Sequence, residues 1–358
     1  MTRFVLAVDG LAKHFVAKRS PLGKPLATVK AVDGVSFVLR PGETLALVGE
    51  SGCGKSTVGR LVMRLIEPTA GHIVLDGADV TGLSEGRLRS FRRQVQLIFQ
   101  DPFASLNPRM TIGQILAEPL MLHGIVPAGD RPRRVAELLE MVGLQPFQAG
   151  RYPHEFSGGQ RQRIVIARAL AVEPKVVICD EPVSALDVSI RAQILNLLKE
   201  LQGRLGLAYV FISHDLSVVK HIADRIAVMY LGRIVETGPA EAIFTDPRHP
   251  YTRALLSAIP VASPQARRER RLLEGDVPNP IDPPPGCHLH PRCPYAGELS
   301  RTQRPPLDDD GHGHATACHF WPTLPHEPDL LPTESIADPR LERLFGAFAG
   351  PAGAGSGA

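Results

Sequence analysis

The stretch GESGCGKST, Gly49 to Thr57, decides the fold class of this 358-residue chain. It follows an apolar run, Leu45 to Val48, that predicts a buried strand, and a helical pattern begins at Lys55. Its glycines let backbone amides approach phosphates, Lys55 supplies a charge to β and γ oxygens, and Ser56 offers a hydroxyl to Mg²⁺. A strand, this loop and a helix together predict an α/β domain that binds a nucleoside triphosphate.

A second candidate anion site, FSGGQRQR, stands at Phe156 to Arg163, about a hundred residues downstream. Ser157 occupies the N-cap position of a helix predicted over Gln160 to Ala171. Gly158 and Gly159 remove side chains from the start of this helix, so backbone N–H groups and the positive dipole end can face an anion. One chain rarely needs two grips on one phosphate, so the pattern indicates two chains that share a nucleotide.

Two adjacent carboxylates, Asp180 and Glu181, follow the apolar run Val176 to Cys179. A buried strand that ends in charged residues places them at the carboxyl edge of a sheet, where ligands bind in open α/β folds. Asp180 suits a contact to Mg²⁺ through water, and Glu181 suits polarising an attacking water. Alone, the pair could equally be a solvated loop or a helix start, but the phosphate loop favours the functional interpretation.

Three further polar residues are candidates because of where they fall. Gln100 follows Val95 to Phe99 and could sense Mg²⁺ or a γ-phosphate, and His214 follows Tyr209 to Ile212 and could contact the γ-phosphate. Asp187 could cap the next helix or reach a partner chain. Each is also compatible with an ordinary turn or cap, and only their joint order favours function.

Composition excludes several classes of protein. The 40 basic and 37 acidic residues nearly balance, so electrostatics predicts neither a nucleic-acid nor an anionic-membrane partner. No apolar run is long enough to cross a bilayer, and Met1 to Gly10 does not resemble a signal peptide, so we expect a cytosolic chain. Five cysteines fit a reducing compartment better than a disulfide scaffold.

The texture of the sequence divides the chain. From Phe4 to about Pro260, apolar runs alternate with helical patterns, which predicts an α/β layer structure with a mainly parallel sheet. Strand signals stop between residues 101 and 157, where Thr111 to Leu122 and Arg133 to Val142 predict amphipathic helices. We therefore expect one nucleotide domain over residues 1–260 with a helical insert over about 101–157.

Beyond residue 260 the composition changes. A Pro/Arg-rich linker is expected over 261–285; it contains the charged run Arg267 to Arg271 and the proline-dense stretch Pro278 to Pro285. A small Cys/His-bearing segment follows over 286–322. We expect a mostly disordered tail over 323–358, since Gly346 to Ala358 is almost entirely Gly, Ala, Pro and Ser.

In this order of motifs, from Phe4 to about Pro260, the chain resembles the ABC-transporter ATPases. The resemblance implies a P-loop domain with an antiparallel β subdomain, and a head-to-tail dimer that binds ATP between one subunit's phosphate loop and the other's signature. Phe156 stands where leucine is commoner in the signature. The residues implied for ATP binding are Phe15, Gly49, Glu50, Ser51, Gly52, Cys53, Gly54, Lys55, Ser56 and Thr57.

The same resemblance implies roles for the remaining motif residues. Phe15 would stack on adenine, although it could also be a core residue. Those implied for catalysis are Glu181, His214 and Gln100, and those implied for Mg²⁺ are Ser56, Gln100 and Asp180. Those implied for the partner's ATP are Ser157, Gly158, Gly159 and Gln160, with Asp187 in a loop at the dimer interface.

Flanking segments are similar to the dipeptide/oligopeptide importer ATPases. These segments are Phe99 to Arg109, Arg248 to Ala258 and Pro284 to Pro294. The resemblance implies a second ATPase subunit, two membrane permeases and an extracytoplasmic solute-binding protein, with this chain peripheral on the cytoplasmic face of the inner membrane. Import of nickel or glutathione by the same machinery, a non-transport ABC ATPase and a subunit without turnover are the alternatives.

Cysteines in the C-terminal segment are a separate question. Some members of the importer family carry four cysteines here that could ligate an iron–sulfur cluster. This chain has Cys287, Cys293 and Cys318, with Ser300 in place of the remaining one. Three thiolates with nearby histidines could still hold a cluster or zinc, and the alternative is a proline-stiffened cap with free thiols. The nearby histidines are His288, His290, His312, His314 and His319.

Overall fold

The secondary structure is mixed α/β. The computed structural model describes residues 4–21, 24–259, 273–325 and 339–348. The strands are β1 (Leu6–Arg19), β2 (Pro25–Leu39), β3 (Thr44–Val48), β4 (Ala70–Leu75), β5 (Ala78–Asp79), β6 (Val95–Ile98), β7 (Val176–Asp180), β8 (Ala208–Ser213), β9 (Arg225–Tyr230), β10 (Arg233–Pro239), β11 (Asp308–Asp309) and β12 (Ala315–Thr316).

Helices follow most of the strands, as the alternating pattern predicts. They are α1 (Lys55–Val62), α2 (Glu85–Gln94), α3 (Pro102–Ser105), α4 (Ile112–Leu122), α5 (Arg131–Met141), α6 (Gly158–Leu170), α7 (Val188–Leu205), α8 (Leu216–Ile222), α9 (Ala240–Thr245), α10 (Pro250–Ser257), α11 (Glu298–Thr302) and α12 (Pro339–Phe348). The chain divides into two compact units: residues 1–88 with 208–336, and residues 89–207 with 337–358.

The first unit carries an antiparallel sheet and a larger mixed sheet. The antiparallel sheet has the order β2-β1-β4-β5, with Leu6 of β1 opposite Leu39 and Leu75. In the larger sheet six strands lie in the order β11-β12-β10-β9-β3-β8, and β3 pairs in parallel with both β8 and β9. Every residue of β3 and β8 is buried, as in parallel strands covered on both faces. The predicted antiparallel β subdomain is thereby confirmed.

The second unit contains a parallel strand pair and the helical insert. β6 pairs with β7, placing Ile98 opposite Cys179. Helix α4 begins at a capping box, in which Thr111 and Gln114 each accept the other's backbone N–H. Beyond the end of α5, Gly143 takes a left-handed φ of 73°, as a C-terminal glycine should. The predicted insert helices are thus present.

The Cys/His segment belongs to the first unit and extends its sheet. In the described part, residues 273–297 contain no helix or strand, which agrees with the proline density of that stretch. Strand β12 then pairs with β10, placing Thr316 opposite Glu236. Leu289 joins the buried cluster that includes Tyr230 and Tyr251. The segment therefore shares a hydrophobic core with the phosphate-loop strand.

One described part of the segment expected to be a mostly disordered tail is helical. Residues 346–348 belong to α12, a helix that packs against α7, although the stretch is rich in Gly and Ala. The charged run Arg267 to Arg271 and residues 349–358 lie outside the described residues. Among the described helices, none combines the length and the apolar character needed to cross a membrane.

Candidate functional site

The phosphate-loop stretch connects β3 to α1, the context that its sequence predicts. Gly49 has φ 151°, and a Cβ there would lie 2.2 Å from the carbonyl oxygen of Met229. Gly54 has φ 109°, and its Cβ would lie 2.1 Å from the carbonyl oxygen of Ala31. Any side chain at either position would collide with backbone in a conformation that L-residues rarely adopt. These two glycines are therefore required by the shape of the loop itself.

Lys55 is buried, and its ammonium is held by the loop it belongs to. Nζ donates to the carbonyl oxygens of Gly49 at 2.8 Å and Glu50 at 2.9 Å. The neighbouring Cys53 thiol is also buried, and desolvation raises its pKa although the Lys55 charge opposes that rise. The loop thus presents a fixed cation and a neutral thiol.

Glu50 is tied to two residues from far along the chain. Its backbone N–H donates to the hydroxyl of Tyr251 at 2.8 Å. Its carboxylate pairs with the guanidinium of Arg292, at 3.1 Å to Oε2 and 3.3 Å to Oε1. Burial would lower the pKa of Arg292, but its hydrogen bonds to Glu50 and Tyr230 outweigh that effect and raise it. Sequence reasoning missed these contacts, because no local pattern relates positions 242 residues apart.

His214 and the phosphate loop emerge at the same sheet edge. Val48 of β3 lies opposite Ser213 of β8 in a parallel register, so Gly49 and His214 each follow the end of adjacent strands. His214 is exposed, as an interaction with a ligand requires. Phe15 stands on β1 with its ring 38% exposed and the Lys13 ammonium 5.3 Å from the ring centroid. An exposed ring of this kind suits stacking better than core packing.

Gln100 and Glu181 meet in the second unit. They follow the paired strands β6 and β7, and Gln100 Nε2 donates to Glu181 Oε2 at 3.1 Å. Asp180 is buried at the end of β7. Glu181 has a left-handed φ of 49°, a strained conformation for a residue with a side chain. Strain of this kind is common where a side chain is aimed at a ligand.

Ser157 is the N-cap of α6, as the sequence predicts. Its hydroxyl accepts the N–H of Gln160 at 3.3 Å, and the Gln160 side chain accepts the N–H of Ser157 at 3.0 Å. The two glycines that follow have different surroundings. Gly158 is half-buried with ordinary space around it, whereas a Cβ on Gly159 would lie 2.4 Å from Cγ2 of Ile190. The absent side chain at Gly159 is therefore required by packing on α7, and access for an anion stays a prediction.

Asp187 is exposed and caps α7. Its carboxylate accepts the N–H of Ile190 at 3.0 Å. The capping interpretation of this residue is confirmed, and contact with a partner chain stays a prediction. Since Ile190 also packs on Gly159, the start of α7 lies beside the signature stretch.

The three C-terminal cysteines line one small cavity together with Ser300, His290 and His319. Burial raises the pKa of each thiol, that of Cys293 to about 11, which favours the neutral form. The Ser300 hydroxyl is engaged by the backbone of Gly297. Within the described ranges, no group of three or more His, Cys, Asp or Glu side chains is placed to hold a metal ion. A cluster or zinc at these cysteines therefore stays a prediction.

Comparisons with known proteins match this geometry. Residues 32–184 match the family described as "ABC transporter", and residues 235–299 match "Oligopeptide/dipeptide transporter, C-terminal region". The chain is 56% identical to a putative peptide import ATP-binding protein of Brucella ovis, over 88% of this chain and 97% of that protein. It is 52% identical to the oligopeptide transport ATP-binding protein AppF of Bacillus subtilis, with the same shares covered.

A solved structure has the same fold. It is an ATP-binding cassette in a dimeric post-hydrolysis state, bound to ADP and Pi, with a TM-score of 0.58. The two sequences are 28% identical, and the match covers 66% of this chain and 98% of that one. The fold class that the sequence predicts is therefore confirmed.

Proposed function

This chain belongs to the ABC transporter family, in the branch with an oligopeptide/dipeptide C-terminal region, and on that premise we propose that it binds and hydrolyses ATP to power the import of dipeptides or oligopeptides. The observation that supports this proposal most directly is the phosphate loop. The loop follows a parallel strand, contains two glycines that its shape requires, and holds a buried lysine. Relatives named for peptide import match the chain along almost its whole length, which supports the substrate class.

The residues present fit ATP with Mg²⁺. Backbone amides of the loop and the Lys55 ammonium suit β and γ phosphates, and the exposed ring of Phe15 suits the adenine base. The Ser56 hydroxyl, the Gln100 amide oxygen and the Asp180 carboxylate are hard oxygen donors of the kind Mg²⁺ prefers. Bound there, Mg²⁺ would neutralise phosphate charge.

Hydrolysis is assigned to the strand-end residues. A water oxygen forms a bond to the γ-phosphorus while the bond to the β–γ bridging oxygen breaks, giving ADP and phosphate. Glu181 accepts a hydrogen bond from that water, orients it and takes the proton that it loses, which then passes to the released phosphate; the Gln100 amide holds the Glu181 carboxylate in place. His214, which follows β8, donates to the γ-phosphate.

The active form is proposed to be a head-to-tail dimer. Ser157 and Asp187 are both exposed, and Ser157 caps a helix whose N-terminus suits the γ-phosphate bound by a second subunit. The related cassette solved as a dimer with ADP and Pi supports this arrangement. The second ATPase subunit is proposed to be a paralogue.

A membrane partner is proposed for the helical insert. The insert and its flanks expose large apolar side chains: Phe103 is 61% and Phe147 69% accessible, and Met121 and Tyr152 are also exposed. Aromatic residues and methionine are enriched at the core of protein–protein interfaces. We assign it, with Gln100, to two membrane permeases that an extracytoplasmic solute-binding protein supplies. The chain would then lie peripherally on the cytoplasmic face of the inner membrane.

Replacing Glu181 by Gln tests the assigned chemistry. The variant keeps ATP binding and forms a trapped closed dimer, while phosphate release falls by at least about a hundredfold, the usual size of a general-base effect. Turnover near the wild-type rate would refute the role of Glu181. Lys55→Ala serves as the matched control, because it removes ATP binding as well.

Reconstitution tests the transport assignment. ATP hydrolysis measured with the co-expressed permeases should rise when binding protein and a peptide are added. Stimulation by nickel or glutathione in place of peptide would reassign the solute, and no response to permeases would indicate an ATPase outside transport. Iron, sulfide and zinc analysis of anaerobically purified protein tests the cluster hypothesis at Cys287, Cys293 and Cys318, which a metal-free, colourless preparation would remove.

A further inference from the structure

We propose that Arg292, in the C-terminal segment, is a positioning residue for the phosphate loop that neutralises the Glu50 carboxylate so that the loop accepts a nucleotide. The inference rests on the proposed ATP binding at that loop. It gives the C-terminal segment a direct part in nucleotide affinity.

The contact is a half-buried, two-pronged ion pair. The Arg292 side chain is 8% exposed and that of Glu50 is 33% exposed. Two guanidinium nitrogens reach two carboxylate oxygens, at 3.1 and 3.3 Å, which is the fork geometry that arginine provides and lysine does not. The guanidinium also lies 6.0 Å from the ring centroid of Tyr230. Arg292 is therefore fixed in place against the loop.

Glu50 connects that pair to the phosphate-binding lysine. Its carbonyl oxygen accepts from Lys55 Nζ at 2.9 Å, and its N–H is held by the Tyr251 hydroxyl at 2.8 Å. The backbone of this one residue is thus bound on both sides while its side chain is bound by Arg292. A shift of the Glu50 side chain would therefore displace the Glu50 carbonyl oxygen, which accepts the hydrogen bond from Lys55 Nζ.

Charge explains why the pair is needed. A carboxylate in a loop that binds a polyphosphate repels its ligand and competes for the Lys55 ammonium unless a cation neutralises it. Lys55 and Arg292 are two cationic groups that contact the loop, and the phosphates require Lys55. Without Arg292, the Glu50 charge would act against nucleotide binding.

Anchoring of the C-terminal segment does not depend on this pair alone. Leu289 is buried in the core cluster, Cys287 and Cys293 pack against it, and β12 is paired with β10. A loss of Arg292 is therefore expected to alter the loop more than the docking of the segment.

The test measures MgATP affinity of the full-length chain by titration calorimetry. Arg292→Ala should raise Kd about tenfold, equivalent to about 1.4 kcal/mol. The Kd of Arg292→Lys should lie between those of wild type and Arg292→Ala, because lysine keeps the positive charge but cannot make the two-pronged contact. Glu50→Gln should lower Kd below that of wild type, because the Arg292 charge is then no longer cancelled by a carboxylate. The double variant Arg292→Ala/Glu50→Gln should recover most of the lost affinity, since no carboxylate then needs neutralising. Arg301→Ala, an exposed arginine of the same segment, is the control.

Rescue by Glu50→Gln separates positioning from anchoring. If Arg292→Ala binds MgATP as wild type does, or if the double variant stays as weak as Arg292→Ala, the proposal is overturned. Should Arg292→Ala not fold, as judged by thermal melting, the uncharged but polar Arg292→Gln with and without Glu50→Gln gives the same comparison. Failure of the wild-type chain to bind MgATP would instead refute the proposed function.

Discussion

Gly159→Ala is the most discriminating test of how α6 packs against α7. The change adds one methyl group at a buried position on α6, where it would lie 2.4 Å from Cγ2 of Ile190. That atom is attached to the branched Cβ of Ile190, so it cannot swing away as the end of a flexible chain would. Ordinary contact begins near 3.4 Å, so α6 and α7 must separate locally by about 1 Å.

Two opposing effects set the magnitude. Alanine favours a helix over glycine by roughly 0.5–1 kcal/mol. Overpacking a filled interface costs about 1–3 kcal/mol. The second effect is larger, so we expect the free energy of unfolding to fall by about 1–2 kcal/mol and the melting temperature by roughly 2 to 8 °C.

Thermal melting followed by circular dichroism is the assay, with two companion variants. Gly158→Ala is the matched control, because its Cβ would meet only Leu186 at 3.7 Å, and it should melt like wild type or slightly higher. Ile190→Ala removes the colliding atom, so in the double variant the alanine at 159 should cost nothing. The coupling between the two sites should be about 1–3 kcal/mol. Gly159→Ala melting like wild type, or a coupling near zero, would refute the packing argument.

Two predictions concern pH and the proposed shared site. Burial lowers the pKa of His249 to about 4 from an ordinary 6.5. The unfolded chain therefore binds more protons between those values, and the stability contribution of His249, complete above pH 6.5, is lost as pH falls toward 4. His249→Asn keeps an N-cap acceptor and should flatten that part of the urea-midpoint profile; an unchanged slope would contradict the assignment. Ser157→Arg should abolish cooperative hydrolysis while MgATP affinity of the chain itself stays unchanged, and Ser157→Thr, which keeps the cap, should behave as wild type; a collapse of MgATP affinity would contradict the shared site.

Short-range sequence patterns account for most of the fold prediction. The loop at Gly49 to Thr57 sits between a buried strand and a helix, and Ser157 and Thr111 cap the helices that their spacing predicts. Each of these features depends on residues within one or two turns, so a single sequence contains the information. Family resemblance supplied the antiparallel β subdomain.

Contacts between residues far apart in the sequence could not be predicted from short-range patterns. The pairing of Arg292 with Glu50 joins residues 242 positions apart, and nothing in the local pattern around either distinguishes it from a solvated charge. The sequence predicts anion access at Gly159 because its neighbours form a helix N-terminus, whereas its crowding by Ile190 depends on how α7 lies against α6. Such contacts follow from tertiary packing, which overrides what neighbouring residues favour.

The pairing of β12 with β10 has a consequence for how the nucleotide domain can be handled on its own. A chain shortened before residue 286 would leave the outer edge of β10 with unpaired N–H and C=O groups from Val235 to Thr237. It would also remove His314, whose Nε2 lies 2.8 Å from Oε1 of the buried Glu236 carboxylate. Open edges of this kind recruit strands from other molecules. The short C-terminal strand therefore protects the isolated subunit against self-association through its own sheet.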